Sequence, residues 1–198
     1  MESIDFIPTV ILGFYKSTKK ELFTANCEIL KSRFPDVDII GCSSESNLYN
    51  HSPHLDTDNM HECVFACVDM DKDSYSLQKI STDHPEDITI NPKGEYRALI
   101  LISSYFAKME HILASMQEKL PPNGLFGGIA GVSDITSEIA EIYFNGEYCS
   151  NSMLLWIIDQ ERYLLEGVAI HHFQPVGFKM EITVRPTQTP PNKTQKRH

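Results

Sequence analysis

A chain of 198 residues with 41% apolar, 10% aromatic and 22% charged side chains has ordinary globular composition, which excludes collagen-like, coiled-coil and wholly disordered readings. It holds 27 acidic and 17 basic residues, a net charge of −10; four bases and no acid stand beyond residue 184, so residues 1–184 carry 13 bases against 27 acids, or −14. Such a body repels phosphate backbones, and no run reaches the roughly 18 apolar residues of a membrane span, so neither nucleic acid nor membrane is an expected partner.

Glu2, Asp5 and Pro8 break the pattern of a secretory leader, and five cysteines form no disulfide framework, so a cytoplasmic protein with reduced thiols is expected. The run from Phe6 to Tyr15 is continuously apolar and of strand length, the pattern of a strand buried on both faces. Ser17 or Thr18 caps a helix over Lys19–Phe34, with Leu22, Phe23, Ile29, Leu30 and Phe34 as its apolar positions and Pro35 as its stop. Asp36–Cys42 is a second strand. Strand, helix and strand in some 40 residues predict a crossover with parallel strands.

A polar loop over residues 47–59 leads to a strand at His61–Met70, and a turn at DMDKDS leads to a partner strand at Tyr75–Ile80. Tyr96–Ser103 is another buried strand, followed by an amphipathic helix over Ala107–Leu120 with Met109, Ile112, Leu113 and Met116 inward. The remainder reads as an antiparallel meander, with strands over Glu138–Phe144, Tyr148–Ile158, Tyr163–Ile170 and Phe178–Val184. Asn145-Gly146 is its clearest hairpin signal, since both turn residues need positive φ. One α/β (α+β) domain over residues 3–185 is expected, with a mixed sheet, packed helices and no internal repeat. Residues 186–198 form a disordered basic tail.

Several constellations bear on chemistry. Asp69, Asp71 and Asp73 begin like a calcium loop, yet Ser74 and Ile80 stand where that loop needs Gly and Glu, so a solvated turn is the better reading. His51, His54, His61, Cys63 and Cys67 lack good zinc spacing, and no metal is expected. Cys42, Ser43 and Ser44 follow a strand at its carboxyl end, where functional loops gather; Cys42 is the candidate nucleophile of a thiol-dependent enzyme, but no acid and base set accompanies it. The glycine-rich run Gly124–Gly131 permits close backbone approach to either a ligand or another strand. His171 and His172 end an apolar strand, and alternation turns His172 inward, making it the candidate axial ligand if haem binds.

Taken in order, Phe34-Pro35, Ile39-Ile40-Gly41-Cys42-Ser43-Ser44, Gly127-Gly128-Ile129-Ala130-Gly131, Phe144-Asn145-Gly146, Phe173-Gln174-Pro175-Val176-Gly177 and Ile182-Thr183-Val184 resemble the N-terminal FIST domain, the sensory domain of F-box and intracellular signal transduction proteins. The resemblance implies a non-enzymatic cytoplasmic input module. Its ligand would be a small molecule such as an amino acid, and its partner a signalling protein or a companion C-terminal FIST domain; some members resemble one another in binding haem and sensing nitric oxide. Carried across, the ligand positions fall on Gly41, Cys42, Ser43 and Ser44 and on Gly127, Gly128, Ala130 and Gly131. The chain departs from the family pattern at Ser46-Asn47, where Gly-Glu is common, at Val132 in place of Asp, and at His172 in place of Gly.

Overall fold

The apolar run that opens the chain becomes strand β1 (Val10–Lys16), which pairs in parallel with β2 (Asp38–Ser44) and antiparallel with β5 (Cys63–Val68). Helix α1 (Lys20–Arg33) makes the crossover between the parallel strands, entered through a single 3₁₀ turn at Ser17–Lys19. These elements come from a computed structural model, which describes residues 5–45, 47–48, 60–89, 95–103, 109–121, 124–132, 134, 136 and 139–166. The chain divides into two compact units, residues 1–167 and 168–198, and the second lies wholly outside the described residues. The expected strand at Phe178–Val184, the part of the expected strand Tyr163–Ile170 beyond Glu166, the residues His171 and His172, and the tail therefore lie outside them as well.

Among the described residues the strands form two mixed sheets and a short third pair. The first sheet has the order β10-β9-β2-β1-β5, with β9 (Ile142–Phe144) and β10 (Glu147–Cys149) as its hairpin. The second has the order β6-β11-β7-β8, from β6 (Tyr75–Ser81), β7 (Tyr96–Ile102), β8 (Leu125–Ile129) and β11 (Ser152–Asp159). Strands β3 (Asn47–Leu48) and β4 (Met60–His61) pair with each other. Helix α2 (Met109–Gln117) lies between β7 and β8, which are parallel. Both sheets thus repeat one plan, a parallel strand-helix-strand crossover with an antiparallel neighbour on its first strand. The sequence does not advertise this repeat.

Alternation explains how the sheets stack. In β11, Met153, Leu155 and Ile157 pack with Ile112 and Met116 of α2, while Leu154, Trp156 and Ile158 pack against Val10, Ile40 and Ile142 of the first sheet. On the far side of that first sheet, Ile11, Tyr15, Ile39 and Tyr143 meet Phe23, Cys27 and Leu30 of α1. The described residues of the unit therefore form four layers, α1, five strands, four strands and α2, with three apolar seams. Strand β11 is buried on both faces, as its unbroken MLLWII run requires.

The structure corrects several local expectations. The partner of β6 is β11 rather than β5, because the DMDKDS turn carries the chain from one sheet to the other. Tyr148–Ile158 is two strands rather than one: Asn151 takes a φ of 53°, and the chain leaves β10 in the first sheet to enter β11 in the second. The Asn145-Gly146 hairpin forms as expected, with φ of 46° and 103°, and the Asn145 side-chain oxygen accepts the Ile39 N–H at 2.8 Å. Leu22 and Ile29 of α1 and Leu113 of α2 are exposed, while Cys27 takes an inward place. Neither Ser17 nor Thr18 caps α1, whose cap position is Lys19 without a side-chain cap, because a 3₁₀ turn precedes it. Phe6 and Ile7 lie before β1 and are exposed, and Tyr163–Glu166 form no strand.

Candidate functional site

The run GLFGGIAG, open in sequence between packing and ligand contact, is strand β8 and its exit. Gly127 opposes Ile100 of β7 at a φ of +132°, and a Cβ there would lie 2.8 Å from the Ile100 carbonyl carbon and nearer still to its oxygen. Gly41 has the same relation to Gly13 across the other parallel pair: its Cβ would lie 2.9 Å from the Gly13 carbonyl carbon and nearer still to the oxygen. Each parallel pair thus needs one glycine for strand approach. Gly128 differs, since a Cβ there would meet nothing within 4 Å.

The two glycine-bearing segments converge at their carboxyl ends. The Gly131 N–H donates to the Ser43 carbonyl at 2.9 Å, and a Cβ on Gly131 would stand 3.2 Å from the Glu45 nitrogen and 3.5 Å from the Ser44 Cα. Ala130, buried in the seam between sheets, donates its N–H to the Ile102 carbonyl at 2.7 Å. Ser43, Ser44, Ala130 and Gly131 are therefore brought together, where the second strand of one crossover ends against the second strand of the other. Gly41 and Gly127 lie back along their strands as packing positions. Cys42 faces the seam between sheets at 5% exposure, and burial pushes its thiol up to about 12.

Parity splits the end of the first sheet into two sides. Toward α1, the row Cys63, Tyr15 and Ser43 continues to Glu141, whose N–H donates to the Ser43 hydroxyl at 3.1 Å. Lys20, at the first turn of α1, holds Glu141 at 2.6 Å and lies 4.0 Å from the Tyr148 ring centre. The Tyr148 hydroxyl donates to the Lys20 carbonyl at 3.2 Å, and the Thr24 hydroxyl stands 2.7 Å from it. Toward the second sheet the corresponding pair is Lys16 and Ser44, in register across β1 and β2, and the Ser44 hydroxyl donates to the Tyr15 carbonyl at 3.3 Å. Lys16, Lys20 and Glu141 were missed in sequence. The one signal for Lys16 was a lysine closing an otherwise apolar strand; that for Glu141 was weaker, an acid beside an apolar run.

Tyr15 is 1% exposed and its hydroxyl has no partner; burial raises it well above the range of a free phenol. A buried unsatisfied hydroxyl is a net cost. Tyr15→Phe keeps the ring stacked on Phe23 at 4.5 Å and should stabilise the fold by about 1 kcal/mol, read as a rise in thermal midpoint. A drop in the midpoint would show that the hydroxyl is satisfied.

Among the described residues no group of three or more His, Cys, Asp or Glu side chains is arranged to hold a metal ion, and no helix is long and apolar enough to cross a membrane. Cys63 and Cys67 pack against the α1 seam. No curated protein matches the chain. The model of the FIST N domain, a family of sensory domains in signal transduction, matches residues 9–184, which include both converging segments and most of the chain. On that match the chain belongs to the FIST N domain family.

Proposed function

We propose that this chain is a non-enzymatic sensory domain that binds a small molecule, such as an amino acid, where the carboxyl ends of β2 and β8 meet, and passes occupancy to a signalling partner or a companion C-terminal FIST domain. The observation that carries the reading is the Gly131 to Ser43 hydrogen bond, which ties the ends of two sheets at a point lined by small residues. A ligand there touches both layers at once. Ser43, Ser44, Ala130 and Gly131 are its contacts, Gly128 offers open backbone beside them, and Gly41, Cys42 and Gly127 shape the strands behind. Through Ser43 and Glu141 the junction connects to Lys20 and the first turn of α1, a path from ligand to helix.

The rival reading, a thiol-dependent enzyme using Cys42, is disfavoured by the burial of that thiol, since the protonated form is a poor nucleophile. Iodoacetamide at neutral pH should leave Cys42 unlabelled in the folded chain, as read by peptide mass, while urea-unfolded chain is labelled at all five cysteines. Rapid native labelling of Cys42 would favour the enzyme. The ligand reading is tested by thermal-shift screening of the twenty amino acids on wild type and Gly131→Val. A ligand at about 100 times its dissociation constant adds roughly 2.7 kcal/mol, and the valine should remove that gain. A panel that leaves wild type unmoved, or moves both proteins equally, would refute this site.

A further inference from the structure

We infer that the ligand at this junction presents a compact oxyanion, a carboxylate or a phosphoryl group, and that Lys16 holds it; the inference rests on the ligand-site reading above. Its ground is the company kept by the cations. Lys19, Lys20, Lys79 and Arg162 each have a carboxylate partner, at 2.5, 2.6, 2.5 and 2.6 Å. The other described lysines and arginines donate to backbone carbonyls or have another partner. Among the described residues Lys16 alone has none.

Its position makes that significant. Lys16 closes β1 on the face shared with Leu12 and Phe14, the face turned to the second sheet, and it is half-buried. Ser44 stands beside it in register, and Gly131 adjoins Ser44. Lys19 and Lys20 are already neutralised, by Glu62 and Glu141. In a chain with 27 acids for 17 bases, an ammonium drawn partly out of water and without an ion-pair partner, the nearby Glu62 carboxylate being taken by Lys19, has an electrostatic gain to make from an anion. Ala130 and Gly131 carry no polar side chain that could compete for it. The net negative charge of the body works against anions at long range, so this selectivity must be local, which calls for a group small enough to reach Lys16 directly.

The test uses the full chain, with acetate, inorganic phosphate and neutral acetamide as probes, each at about 100 mM and at one ionic strength set with sodium chloride. Acetate or phosphate should raise the thermal midpoint of wild type by about 3 °C, acetamide should not, and Lys16→Gln should abolish the rise while Lys16→Arg keeps it. Each variant is read against its own probe-free midpoint, so a change in basal stability does not obscure the result. A larger rise with phosphate than with acetate identifies the group as phosphoryl, and the reverse as carboxylate. Equal rises in wild type and Lys16→Gln, or no rise with either anion, overturn the inference. It fails by itself if an amino acid stabilises wild type, loses its effect in Gly131→Val, and keeps it in Lys16→Gln; loss of every Gly131-sensitive response removes the ligand-site reading instead.

Discussion

Gly41→Ala is expected to destabilise the fold by about 3 kcal/mol, a loss large enough to lower the thermal midpoint by roughly 6–12 °C. The reason is backbone against backbone. The added methyl would press on the Gly13 carbonyl, which is fixed by the parallel pairing of β1 with β2 and has no flexible side chain to yield. Gly127→Ala meets the Ile100 carbonyl in the same way and adds the strain of a +132° φ, so its cost should be at least as great. Gly128→Ala, next in sequence, meets nothing and should change stability by less than about 0.5 kcal/mol. Urea unfolding of the three variants separates the cases. Similar small losses for all three would mean that the parallel pairs are not packed as described.

Phe23→Ala should cost about 3–5 kcal/mol, because it empties the seam between α1 and the first sheet. Phe23 is fully buried, with its ring centre 4.5 Å from that of Tyr15 and 5.2 Å from those of Phe65 and Tyr143. The hollow it fills exists because Gly13 lacks a side chain: a Cβ there would lie 2.6 Å from the Phe23 ring. Aromatic pairing adds to simple burial, so Phe23→Leu should recover only part of the loss. Ile29→Ala, on the same helix but 56% exposed, serves as the control and should stay within about 0.5 kcal/mol. A loss below about 1 kcal/mol for Phe23→Ala would contradict the packing of α1.

The crossover β1–α1–β2 was legible in sequence because three independent signals agreed: a two-face apolar run, a helical period, and Pro35 as a stop. The hairpin at Asn145-Gly146 was legible because its turn chemistry is local. Strand β8 is hidden in the sequence, since LFGGI has two glycines that depress strand propensity, and the reason for Gly127 is non-local: a parallel neighbour whose carbonyl leaves no room at residue 127. The division into two sheets was equally hidden. β5 and β6 look like a hairpin across DMDKDS, and only the buried faces of β11 on either side show that a second sheet exists. For the candidate site, Ser43, Ser44, Ala130 and Gly131 were named from sequence, but their meeting was not, because it depends on how two crossovers end against each other. Lys16 could not be singled out before its register with Ser44 and the pairing of the neighbouring lysines were known.

The most direct test of the account is amide chemical-shift mapping of the full chain during titration with the amino acid that most raises its thermal midpoint. The largest perturbations should fall on Lys16, Ser43, Ser44, Ala130 and Gly131, with smaller ones spreading through Glu141 to Lys20 at the first turn of α1. Perturbations concentrated instead in the outer groove of α1, at Ala25, Glu28 and Ile29, with the β2 and β8 ends unmoved, would contradict it.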